Sequence, residues 1–193
     1  MRSFLLFTLA ALLVTSTGVA QKLNREKKAI IASVEAHQEA LIAISDSIWA
    51  LAETAFEEHE SSRILADYAE AQGLTVERGV AGIPTAFVAT YGSGSPVISV
   101  LGEFDALPGI SQKASPVKEP LNAGAAGHGC GHNLFGAASL GAAIAIKEQI
   151  EAGTLKGTVK FIGTPSEEKF FGKIWMIKEG IWDGVDVNVS WHP

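Results

Sequence analysis

Gly127-His128-Gly129-Cys130-Gly131-His132-Asn133 runs directly into Leu134-Phe135-Gly136-Ala137-Ala138-Ser139-Leu140-Gly141-Ala142-Ala143-Ile144-Ala145-Ile146, and the reading of this stretch decides the fold. From 133 to 146 there is no charged residue, and small and aliphatic side chains dominate. Such a segment reads as a helix packed closely against a sheet, and it is too short to cross a bilayer. Residues 97–101 before it are almost wholly apolar, as in a strand covered on both faces, and 158–163 after it reads as the next buried strand. Strand, helix and strand in that order imply an α/β domain: a mostly parallel sheet flanked by helices.

The first half of the stretch carries the chemistry. A thiol and an imidazole two residues apart, separated and flanked by glycine, let the backbone turn tightly enough for Cys130 and His132 to converge on one point, most simply a metal ion. The dipole of the helix that follows favours a thiolate at Cys130. The rival reading, a cysteine nucleophile, lacks the Gly-x-Cys-x-Gly elbow because His128 and His132 occupy the flanking positions. A histidine so close in sequence is also poorly placed as an in-line base. His128 is a further candidate ligand, though it reads first as loop packing or as support behind the ligands.

Further ligands follow other apolar runs. Glu167-Glu168 comes after 158–163, Asp105 after 97–101, and His192 closes a strand expected over 185–191. In open α/β sheets, sites form beyond the carboxyl ends of strands, where all of these residues lie. Imidazole, thiolate and carboxylate together suit zinc, and an oxygen-rich version of the site suits manganese or cobalt. Two adjacent carboxylates cannot easily point the same way. One can bind metal while the other takes a proton from an activated water that attacks a carbonyl carbon.

Outward from this centre, apolar residues at Ile30, Val34, Leu41, Ile44, Ile48 and Leu51 fall on one face of a single long helix, with His37 packed at its flank. A second helix is expected over 62–72, capped by Ser61 or Ser62 and closed by Gly73, with His59 solvated in the acidic loop before it. Short strands are expected over 74–77 and 85–91, a surface loop over 111–127, and a helix over 171–179.

The 193 residues are 47% hydrophobic and 19% charged, the balance of a globular domain, and the formal charge of -6 leaves no basic footprint for nucleic acid. A single cysteine excludes an internal disulfide. Residues 1–20 have their own pattern: Arg2, an uncharged apolar core over 4–14, and small residues at Gly18 and Ala20. This is the pattern of a secretory signal peptide cleaved before Gln21, which implies a secreted or periplasmic protein with no stable membrane span after cleavage. Residues 21–193 form the domain.

Four motifs in order carry a family resemblance: 101–109 (Leu-Gly-Glu-Phe-Asp-Ala-Leu-Pro-Gly), 127–133, 164–168 (Thr-Pro-Ser-Glu-Glu) and 191–193 (Trp-His-Pro). Together they resemble the amidohydrolase branch of the aminoacylase and carboxypeptidase-type zinc metallopeptidases. By that resemblance Cys130, His132, Glu168 and His192 are metal ligands of a site for one or two divalent ions, zinc or manganese with cobalt as a third option, and Glu167 is the general base. Asp105 matches a position that orients a histidine ligand in related branches, where Glu103 here stands in place of that histidine. The resemblance implies hydrolysis of an amide bond in N-acyl amino acids or small dipeptide-like substrates. Family members continue into a lid or dimerisation domain and a further ligand, so the chain is expected to be the N-terminal part of such a catalytic domain, with a homodimer expected only of the full-length protein. The alternative is an inactive metal-binding fragment that needs the missing half or a partner.

Overall fold

The computed structural model describes residues 23–193; the expected signal peptide lies outside them. Three helices come first, α1 (Arg25–Ala36), α2 (Gln38–Leu51) and α3 (His59–Ala71), then the strands β1 (Thr75–Arg78), β2 (Phe87–Ser93) and β3 (Val97–Glu103). The long helix α4 (His132–Glu151) follows, then β4 (Gly157–Thr164), the single turn α5 (Glu167–Phe170), α6 (Gly172–Lys178) and β5 (Val187–Val189).

The α/β architecture is as the sequence implies, but the five-stranded sheet, in the order β1-β2-β4-β3-β5, is mixed rather than mostly parallel. Its β4–β3–β5 half is parallel, with α4 as the crossover between β3 and β4. Its other half, β1–β2–β4, is antiparallel. Only residues 79–86, with one 3-10 turn at Val80–Gly82, separate β1 from β2, and a parallel pairing needs a crossover of a dozen residues or more.

Small residues let α4 lie close to the sheet. A Cβ at Gly136 would come 2.9 Å from the Glu103 carbonyl oxygen and 3.1 Å from Leu65 Cδ1. The core between helices and sheet, with Leu65, Phe87, Phe104, Leu140, Ile144 and Phe161 fully buried, forms around that approach. Gly136→Val is therefore expected to destabilise the chain by about 1–3 kcal/mol, read as a lowered urea midpoint.

The single helix expected over 30–51 is two. It breaks at His37, whose ring nitrogens lie 2.8 Å from the Tyr68 hydroxyl and 2.9 Å from Glu148 Oε1. Both partners lie far away in sequence, so the break is tertiary in origin. At α3 the cap also comes from elsewhere: Glu53 accepts from the backbone N–H groups of Glu60 and Ser61, at 3.1 and 2.8 Å, and the helix starts at His59. The last strand is shorter than expected and exposed, because β5 is a sheet edge paired only with β3.

Candidate metal centre

Gly131, at φ 78°, ends the loop in the left-handed region and hands over to His132, the first residue of α4. This places the His132 ring, with no exposed surface, beneath the end of β3. His132 Nδ1–H donates to Asp105 Oδ1 at 2.9 Å and lies 3.0 Å from the Asp105 carbonyl oxygen. A ring held this way turns Nε2 toward the carboxylates. Glu103 Oε2 stands 2.9 Å from it and Glu168 Oε1 3.9 Å.

Those three atoms, His132 Nε2, Glu103 Oε2 and Glu168 Oε1, are buried, and apart from the His132–Glu103 ion pair itself they have no polar partner of good hydrogen-bond geometry among the described residues. Buried polar atoms are nearly always satisfied, so three such atoms at one place call for a ligand. On the far side Cys130 Sγ lies 3.4 Å from His192 Nε2. Ligand atoms of Cys130, His132 and His192 all fall within 4.8 Å of one another, and so do those of Glu103, His132 and Glu167. Donors bound to one cation at roughly 2.0–2.3 Å stand about 3–4 Å apart, so the spacing and the sulfur, nitrogen and oxygen donor set both fit a divalent ion.

The structure places the expected residues around His132 as two groups rather than one, and Glu168, the expected ligand, belongs to neither, its Oε1 standing 3.9 Å from His132 Nε2. Both members of the Glu167-Glu168 pair reach His132. Asp105 lies behind the ligands: Oδ1 holds the His132 ring, and Oδ2 accepts the Glu168 backbone N–H at 2.9 Å, so one buried carboxylate sets two candidate ligands. His192 is held through its neighbour, as Trp191 Nε1–H donates to Ser139 Oγ on α4 at 3.2 Å. His128 is loop packing, its Nε2 3.0 Å from the Ile48 carbonyl oxygen.

Glu103 is the site residue that sequence reasoning left without a role. It closes β3 two residues before Asp105, and residues two apart at a strand end point the same way, which is the signal that could have found it. Its other oxygen pairs with the Lys173 ammonium. Burial pushes the Glu103 carboxyl up, but His132 and Lys173 outweigh that and hold it below the usual range. Burial likewise works to lower the His132 pKa, yet the Asp105 and Glu103 carboxylates raise it to about 10. Cys130 differs from expectation. Burial, and then Glu168, raise its thiol to about 11, so the helix terminus alone does not make a thiolate.

Residues 100–192 match the family model for peptidase family M20/M25/M40. The chain is 47% identical over 162 residues to a p-aminobenzoyl-glutamate hydrolase subunit of Escherichia coli, a match that covers 83% of this chain and 34% of that protein. It is 31% identical over 189 residues to the Xaa-Arg dipeptidase of Mus musculus, covering 92% of this chain and 40% of the relative. Among solved structures, the Bacillus subtilis YXEP protein, described as a dinuclear metal binding peptidase from the M20 family, superposes with a TM-score of 0.68 at 27% identity, over 80% of this chain and 42% of that one. The chain spans well under half the length of these relatives. The four motifs, Pro193 apart, and the clustered donors fall within residues 100–192, the stretch that matches the M20/M25/M40 peptidase family.

Proposed function

We propose that the chain binds a divalent cation through Cys130, His132, Glu168 and His192 and hydrolyses amide bonds of N-acyl amino acids or small dipeptide-like substrates, with Glu167 as general base. The observation that supports this reading is the gathering of buried ligand-type atoms around His132 Nε2, with Glu103 Oε2 at 2.9 Å and Glu168 Oε1 at 3.9 Å. When bound, such a cation supplies a Lewis acid that polarises the scissile carbonyl and eases deprotonation of water.

The protein's own residues do the rest. Asp105 fixes the His132 ring and the Glu168 backbone, so that the donors need not reorganise. Glu167, the half-buried neighbour, takes the proton from the attacking water and returns it to the leaving amine. On the same turn Phe170 stacks on Phe56, with ring centroids 5.4 Å apart, and both rings keep exposed area. That surface suits an aromatic acyl group such as the aminobenzoyl moiety in the name of the Escherichia coli relative. The sequence of residues 1–20 supports a secreted or periplasmic location.

A second reading keeps the cation but assigns hydrolysis only to a complex with a further segment or partner. It is favoured by the exposed apolar side chains of α6 and β5, Ile174 (67%), Ile177 (61%) and Val187 (51%) among them. The purified chain, loaded in turn with zinc, manganese and cobalt, is expected to release p-aminobenzoate from p-aminobenzoyl-glutamate, to lose this activity on chelation and to regain it with the ion. A bound ion without hydrolysis would favour the second reading, and no bound ion would defeat both.

A further inference from the structure

The turn that carries Glu167 and Glu168 cannot hold its own shape. α5 is a single turn bracketed by two non-glycine residues in the left-handed region, Ser166 at φ 58° and Phe171 at φ 55°. L-residues with side chains disfavour that conformation, so something outside the turn must keep it there. The turn is also tight, since a Cβ at Gly172 would meet the Pro165 carbonyl oxygen at 2.2 Å.

The external hold comes from the opposite end of the chain. Glu58, fully buried just before α3, accepts the Ser166 backbone N–H at Oε1, 2.8 Å away. Its Oε2 accepts the Thr85 hydroxyl at 3.3 Å, which fixes the carboxyl from the other side. Two residues earlier, Phe56 stacks on Phe170 with an interplanar angle of 12°, so 56–58 grips both ends of the turn. Phe56 is itself left-handed, at φ 62°.

We infer that Glu58 is a positioning residue of the candidate centre: by holding the Ser166 N–H it keeps the left-handed turn that aims Glu168 toward His132 and sets Glu167 beside it. The inference rests on the metal reading of that centre. Burial pushes the Glu58 carboxyl up to about 7. Charge is therefore secondary to having an acceptor oxygen at the right reach, which a glutamine also provides.

The test is cobalt(II) titration of the full chain, followed by its visible absorption, for wild type, Glu58→Ala, Glu58→Gln and Glu58→Asp. Glu58→Ala is expected to weaken cobalt binding by about 10–100-fold and to alter the absorption bands, as loss of a ligand-orienting partner does. Glu58→Gln is expected to retain wild-type affinity and bands. Glu58→Asp, which keeps the carboxyl but draws it back by one methylene, is expected to follow alanine, and it carries the test if alanine does not fold. A merely structural role would lower the urea midpoint and leave the cobalt spectrum of the folded chain unchanged. Wild-type affinity and bands in Glu58→Asp, or in a folded Glu58→Ala, would overturn the inference while leaving the metal reading intact. Failure of the wild-type chain to bind cobalt would overturn both.

Discussion

Glu167→Gln lowers amide hydrolysis by about 10²–10⁴-fold and leaves the bound cation in place, the loss expected when a general base is removed but its shape retained. A carboxamide cannot take the proton of the attacking water, yet it fills the same volume beside Glu103 and His132. The measurement pairs a steady-state assay with metal analysis of the same sample. Undiminished hydrolysis would remove Glu167 from the role of base. Loss of both hydrolysis and metal would instead make Glu167 a ligand, through the Glu103–His132–Glu167 group that the structure also brings within 4.8 Å.

The second large effect is on pH. Both His132 and Cys130 must surrender a proton before a cation can use them, and in the metal-free chain these protons are held to about 10 and about 11. Below those values each required proton costs a factor of ten in apparent affinity per pH unit. Two protons therefore make cation binding about 100-fold tighter per unit between pH 6 and 8. Isothermal titration in buffers of different ionisation enthalpy is expected to show close to two protons released. Release of none would mean that the cation does not bind through this pair.

The metal-free fold runs the other way. His132 has its folded pKa raised above the ordinary value of 6.5, so its pairing with Asp105 and Glu103 stabilises fully below about pH 6.5 and is lost as pH rises toward 10. Opposite trends in affinity and metal-free stability distinguish this from general alkaline unfolding.

What could be read from the sequence was whatever depends on local composition. The uncharged run after Asn133 reads as a helix against a sheet, and the apolar run of β3 reads as a covered strand. The donors at strand ends then followed from the geometry of α/β sheets. What escaped was set by distant partners. The apolar stripe is continuous across His37, and only Tyr68 and Glu148, brought up by folding, reveal the break. The Cys130 thiol looked like a thiolate from its place before a helix, until burial and Glu168 entered. Glu58 read as an ordinary acidic residue, and the hold of Asp105 on Glu168 stayed hidden, because their partners Ser166 and Glu168 lie 108 and 63 positions further along the chain.

Gly131 bears on more than the turn it makes. A side chain added there would come 2.9 Å from Pro193 Cβ, so the absence of one leaves the berth in which the residue after His192 is lodged. A methyl group at this position would nudge the second imidazole without altering any donor atom, at a cost of roughly 1–2 kcal/mol for the left-handed backbone. Swapping this glycine for alanine thus offers an engineer a fine adjustment of ion preference, one that keeps the inventory of ligands and changes only the bite between them.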